Sequence, residues 1–96
     1  MDMRKIIFFH GADCPHCRHM MPIVEKIEKE LGIKLEKREV WYDEKNEDMM
    51  RKYEEIIRKG SPDGDIGVPA FVDLKNKEAL VGEQFEEDLK KWLMEK

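Results

Sequence analysis

A chain of 96 residues is long enough for one domain, spanning residues 1–96, with a single modest core. Charged residues make up 42% of it, well above the usual quarter, yet they are mixed in sign and sum to only −4 at pH 7. This composition describes a solvated surface rather than a charged tail, and with no basic cluster it argues against nucleic-acid binding.

No apolar run approaches the ~20 residues a membrane-crossing helix needs. Only Ile6-Ile7-Phe8-Phe9 follows the charged start, too little for a secretory signal, so the chain reads as cytoplasmic and free of membrane association. The elements follow in order. Arg4–Phe9 reads as a first strand, and its unbroken apolar run predicts burial on both faces and a central, parallel position. His10 to Asp13 is a loop, with Asp13 as a candidate cap for the next helix. That helix runs from about Pro15 to Leu31, with Cys17, Met20, Met21, Val24, Ile27 and Leu31 on one face. Pro15 suits its first turn, Pro22 predicts a kink, and Gly32 suits its end.

Ile33–Tyr42 alternates as a partly apolar second strand, which predicts an edge position. After a turn over residues 43–46, with Asn46 as a candidate cap, a second helix spans about Glu47–Lys59. Its inward residues are Met49, Met50, Tyr53, Ile56 and Ile57. The breaker-rich stretch from Ser61 to Gly67 is a loop. Val68–Val72 is a third strand with Pro69 near its start, Lys75-Asn76-Lys77 turns the chain, and Ala79–Val81 returns as a fourth strand. A last helix over about Glu83–Met94 turns Phe85, Leu89, Trp92 and Leu93 inward. The order β-α-β-α-β-β-α predicts an α/β fold: a four-stranded mixed sheet flanked by three helices, built from a right-handed βαβ unit and a hairpin.

The only two cysteines, Cys14 and Cys17, lie two residues apart between the first strand and the first helix. A bridge between such near neighbours closes too small a loop to stabilise much, so the spacing favours chemistry over stapling. The reactive form of cysteine is the thiolate, and a helix N-terminus favours it through unpaired N–H groups and the helix dipole. Thiol–disulfide exchange needs a thiolate, access, and a second thiol to release the mixed disulfide, and Cys14 with Cys17 supplies all three. His16, if protonated, stabilises a thiolate nearby and makes the couple more oxidising. Cys14 and Cys17 with His10 and His19 also form a possible two-Cys, two-His ligand set for zinc or copper. A metal-binding or metallochaperone module is therefore the alternative reading, although structural zinc sites bring their second ligand pair from another hairpin or helix. The pairs Met20-Met21 and Met49-Met50 fall at helical core positions and read as packing. Trp41, Tyr42, Ile66 and Val68 form a candidate apolar docking patch.

Cys14-Pro15-His16-Cys17, Pro22 in the following helix, and Gly67-Val68-Pro69 before the third strand resemble the thioredoxin superfamily in type, order and spacing, over nearly the full chain. The compact length is similar to that of the glutaredoxin-sized members. The Pro-His dipeptide is similar to that of the periplasmic disulfide oxidases. The resemblance implies a thioredoxin-like fold and a thiol–disulfide oxidoreductase acting on protein or small-molecule disulfides, a net reductase if cytosolic. Cys14 is then the exposed nucleophile and Cys17 the buried resolving cysteine. Pro69 is cis and, with Val68 and Pro15, meets the substrate. The redox-active disulfide needs no other cofactor and no metal. The expected partners are disulfide substrates and a recycling reductase or oxidase, with the chain itself a monomer. Three departures stand out: Asp13 replaces the usual Trp before the first cysteine, Phe8 replaces a buried acid, and Gly82-Glu83-Gln84 replaces the glutathione-holding Gly-Gly and Asp. Glutathione use is left open, and Asp13, His10 and Glu39 are candidate proton acceptors for Cys17.

Overall fold

The computed structural model describes residues 6–95. Eight elements alternate along them: β1 (Ile6–His10), α1 (Pro15–Leu31), β2 (Glu36–Glu39), α2 (Glu44–Lys52), α3 (Glu54–Gly60), β3 (Ala70–Asp73), β4 (Glu78–Val81) and α4 (Glu86–Met94). The sheet order is β2-β1-β3-β4. β1 runs parallel to β2 and antiparallel to β3, and β3 and β4 form the hairpin. The expected mixed sheet is present, with β1 inside it and β2 at an edge. Arg4 and Lys5, assigned above to the first strand, lie outside the described residues.

Successive side chains on a strand point to opposite faces, so the run Ile6-Ile7-Phe8-Phe9 feeds two cores at once. Ile6 and Phe8 pack with Met20, Val24 and Ile27 of α1 and Leu89 and Leu93 of α4. Ile7 and Phe9 pack with Met50 of α2, Ile57 of α3, and Ala70 and Val72 of β3. Phe8 stacks on Phe71 with ring centres 4.7 Å apart and planes 5° from parallel. Such a pair contributes about 0.5–1.5 kcal/mol beyond the burial of its surface. A single apolar run thus fastens the helices of both layers to β1, and β1 leads straight into the cysteine loop.

The single helix expected over Glu47–Lys59 is two, so among the described residues four helices flank the sheet rather than three. Asp43, not Asn46, caps α2, its carboxylate accepting the Asn46 N–H at 3.1 Å. The helix ends at Tyr53, whose backbone (φ −104°, ψ 23°) leaves the helical region. The cause is the sheet: α2 packs on β2 at one edge, whereas α3 packs on β3 and β4 toward the other. A straight helix does not follow both edges of a twisted sheet. β2 is shorter than expected, four residues instead of ten, because only Glu36–Glu39 pair with β1. α1 continues through Pro22 and ends at Gly32, whose φ of 67° is the left-handed conformation that glycine adopts without strain.

The last helix also begins later than expected, at Glu86. Gly82 donates its N–H to the Pro69 carbonyl at 2.8 Å. The Gln84 side chain donates to the Val81 and Gly82 carbonyls, and its own N–H reaches Met20 Sδ. These bonds fix residues 82–84 in a turn off the end of β4, with Gly82 at φ 99°. Phe85, assigned inward from its spacing, becomes the helix N-cap and is 80% exposed.

Candidate functional site

The loop after β1 delivers Cys14 to the start of α1. Cys14, rather than Asp13, is the N-cap: its extended backbone (φ −78°, ψ 118°) folds Sγ over the first turn, where it accepts the Cys17 N–H at 3.3 Å. Pro15 occupies the first helical position, where no N–H partner is needed, and its ring is exposed. Asp13 instead binds the Tyr42 hydroxyl and lies 3.5 Å from Arg18 Nη2. Arg18 Nε also donates to the Ala12 carbonyl at 3.4 Å. The motif is therefore tied to the segment following β2 on one side and to its own helix on the other.

Both cysteines are free thiols. Cys17 is 2% exposed, as expected for the inner position, and Cys14 is also buried at 4%, not exposed. The capping bond explains the difference, since it turns Sγ inward. Cys14 Sγ lies 4.0 Å from the Val68 carbonyl, and the Val68–Pro69 peptide is cis, so the cysteine loop and the loop before β3 meet at the sulfur. Cys17 Sγ accepts the Gly11 N–H at 3.4 Å. Burial, first, and the bond with Cys14, second, push the Cys17 thiol up to about 12, against the pull of the Gly11 N–H. Cys17 is thus a protonated thiol at neutral pH.

Glu39 anchors the surrounding loops. Its carboxylate accepts the N–H groups of Ala12, Trp41 and Tyr42, each at 2.9 Å. Desolvation works to raise its pKa, but these three bonds and nearby His10 outweigh it and hold the carboxyl below its ordinary value. The Trp41 ring covers Gly11 so closely that a Cβ there would stand 2.5 Å from the indole carbons, which is why glycine fits beside Cys17. Trp41 is half exposed. With Ile66, Gly67 and Val68, and with Met50, Arg51 and Arg58, it lines an open cleft of about 640 Å³. The candidate docking residues Trp41 and Ile66 therefore share one cleft with Val68.

His16 Nδ1 lies 2.6 Å from Glu83 Oε1, and His19 Nδ1 lies 3.5 Å from Glu83 Oε2. The bond from His16 is the main reason the Glu83 carboxyl sits below its ordinary value. Sequence reading missed this contact. It assigned Glu83 to the last helix, where the i, i+3 spacing of His16 and His19 on α1 gave no hint of a shared partner. His10 ends β1, half-buried beside Phe8, with its pKa lowered first by burial. Among the described residues, no group of three or more His, Cys, Asp or Glu is arranged to hold a metal ion. No helix of the described residues is long and apolar enough to cross a membrane.

No protein-family model matches the chain, and no curated protein does either. Among solved structures it is similar to a mutant thioredoxin from Halobacterium salinarum NRC-1, with a TM-score of 0.69, covering 95% of this chain and 72% of that one. The chain has a thioredoxin-like fold. At 22% identity the likeness speaks for that fold alone. Within the thioredoxin-like fold the cysteine pair opens the first helix, and the cis peptide preceding Pro69 faces it.

Proposed function

We propose that the protein is a thiol–disulfide oxidoreductase working through Cys14 and Cys17. The observation that carries this reading is the seat of Cys14 Sγ: it caps α1, accepts the Cys17 N–H, and lies against the Val68 carbonyl beside the cis peptide. Negative charge on sulfur at a helix N-terminus is favoured by the dipole and by the N–H it already accepts.

In the reducing direction, the Cys14 thiolate attacks one sulfur of a substrate disulfide. A Cys14–substrate disulfide forms, the substrate S–S bond breaks, and the departing thiolate takes a proton. Cys17 then loses its proton and attacks Cys14 Sγ, forming the Cys14–Cys17 disulfide and releasing the second substrate thiol. The substrate gains two electrons and two protons, and a recycling dithiol returns them to the protein. His16 stabilises the Cys14 thiolate, and the high affinity of Cys17 for its proton delays its attack until the mixed disulfide has formed. An extended substrate pairs with the Val68 backbone beside Pro69 and Pro15, and rests apolar side chains on Trp41 and Ile66. In a reducing compartment the couple runs as a net reductase.

The test is equilibration of the purified protein with glutathione buffers, followed by alkylation of free thiols and mass measurement, together with turnover of insulin disulfides. The reading expects one two-electron transition and loss of turnover in Cys14→Ser. Two thiols that stay free at every buffer ratio, or full turnover by Cys14→Ser, would overturn it.

A further inference from the structure

The loop over residues 61–67 leads from α3 to Val68 and Pro69. Its tip has few contacts: Pro62, Asp63, Gly64 and Asp65 are exposed, and a Cβ on Gly64 or Gly67 would meet nothing within 4 Å. Ile66 and Val68 pack on the apolar cluster around Phe9 and Ile57, which anchors the end nearest β3. The tip is folded on itself. The Asp63 carboxylate accepts the Ser61 hydroxyl at 2.8 Å and the Asp65 N–H at 3.2 Å, and the Gly64 N–H donates to the Ser61 carbonyl at 3.3 Å.

Among the described residues, every hydrogen bond and ion pair that this loop makes outside itself goes to Arg58. The Ser61 N–H donates to the Arg58 carbonyl at 3.2 Å. Arg58 Nη1 donates to the Gly64 carbonyl at 3.1 Å and lies 3.9 Å from the Asp65 carboxylate. Glu54, one turn earlier on α3, accepts from Arg58 Nε at 2.9 Å and lies 2.9 Å from Nη2. A guanidinium is a rigid planar fork, so the carboxylate that grips one edge aims the remaining nitrogen at the loop. The bond to Gly64 is charge-assisted and therefore stronger than a neutral one.

The consequence lies in the cleft. Arg58, Asp65, Ile66 and Gly67 line it together with Val68, whose carbonyl lies 4.0 Å from Cys14 Sγ. Cys14 is 4% exposed, so a reagent reaches the sulfur only when its surroundings give way. We propose that Arg58 is a positioning residue for the candidate site: by clamping the Gly64 carbonyl and Asp65 it fixes loop 61–67 as part of the cleft wall beside Cys14, and so limits how bulky a disulfide reaches the sulfur. This rests on the redox reading in taking Cys14 as the reacting thiol. It adds a determinant of substrate size that lies outside the cysteine motif.

The experiment is labelling of Cys14 in a Cys17→Ser background, where one thiol reports, by a small reagent, iodoacetamide, and a bulky one, fluorescein maleimide, at one fixed pH. The readout is the ratio of the bulky to the small rate, from which any change in thiolate fraction cancels. Arg58→Ala is expected to raise the ratio about fivefold, the effect of losing one charge-assisted bond in an exposed setting. Arg58→Lys keeps one donor and falls between Arg58→Ala and the parent. Glu54→Ala leaves the guanidinium unaimed and raises the ratio by less; where Arg58→Ala lowers the urea midpoint, this variant carries the test. An unchanged ratio in both alanine variants overturns the proposal. Equal acceleration of the two reagents is such a result, and it would mean general loosening rather than a wall. The labelling involves no disulfide, so it decides the role of Arg58 even where insulin turnover fails and the redox reading falls.

Discussion

The asymmetry of the two thiols can be measured directly by isolating the inner one. Cys14→Ser leaves Cys17 alone, still 2% exposed and still bonded from the Gly11 N–H, with a hydroxyl where the capping sulfur was. Burial is the largest cause of its high pKa and survives the substitution, whereas the contributions of Cys14 are lost, so the wild-type value used below sets the upper bound of the effect in the variant. At pH 8 a thiol with a pKa of about 12 is ionised in about one molecule in ten thousand, against roughly a quarter for an ordinary cysteine. That is a deficit of roughly two thousandfold in thiolate. The more basic thiolate is intrinsically the better nucleophile, by roughly fortyfold over this interval at a Brønsted slope of about 0.45. The net expectation is alkylation roughly fiftyfold slower than a model thiol at pH 8, before any loss from restricted access. Burial alone would slow the reaction equally at every pH, so the profile decides. Stopped-time iodoacetamide labelling between pH 8 and 10 is expected to rise about tenfold per pH unit without levelling, while the urea-unfolded variant levels near pH 9. A plateau near pH 8.5 in the folded variant would refute both the high pKa and the timing of resolution derived from it.

Other consequences follow from the packing. A Cβ on Gly60 would overlap the Ala79 carbonyl oxygen and stand 2.6 Å from its carbon, both backbone atoms of β4. Gly60→Ala is expected to cost about 1–3 kcal/mol, a fall of about 1 M in the urea midpoint, and an unchanged midpoint would mean α3 can lift off the sheet. Phe8→Ala removes a fully buried ring stacked on Phe71 and is expected to cost about 3–5 kcal/mol, read as a matching loss in urea unfolding free energy. The Glu39 carboxyl titrates below its ordinary value in the folded protein, so its contribution is present above the unfolded value near pH 4.3 and is lost as pH falls through the lower folded one. Between pH 5 and 2.5 the urea midpoint of wild type is expected to fall more steeply than that of Glu39→Gln. Parallel curves would show that the three loop N–H groups do not depend on its charge.

Where residue pattern and burial agreed, sequence reading and structure coincide. The apolar run of β1, the helical spacing of α1 and the helix stop at Gly32 all encode local demands that a single segment meets. The misses lie where distant segments decide. α2 and α3 separate at Tyr53 because two sheet edges pull on one apolar stripe. Phe85 has helical spacing yet faces solvent, because the bonds of residues 82–84 to Pro69 and Met20 delay the start of the helix to Glu86. Cys14 is inward because it, not Asp13, caps the helix, a choice between adjacent capping side chains that composition leaves open. Glu83, and the loop-anchoring role of Glu39, named only as a candidate proton acceptor, were missed for a related reason. Each looks like one more surface acid until a loop from elsewhere presents its N–H groups or its histidine.

The β3–β4 hairpin carries Val68 and Pro69 at its entrance and Glu83 at its exit, with the Gly82–Pro69 bond joining the two ends. Its turn, where Asp73 accepts the N–H groups of Lys75 and Asn76, lies at the opposite end of the strands. The hairpin is therefore an exchangeable cartridge. Grafting residues 68–83 from another protein of this architecture would replace the backbone that meets Cys14 Sγ and the acid beside His16 in one step. Sequence changes at the turn would leave both untouched.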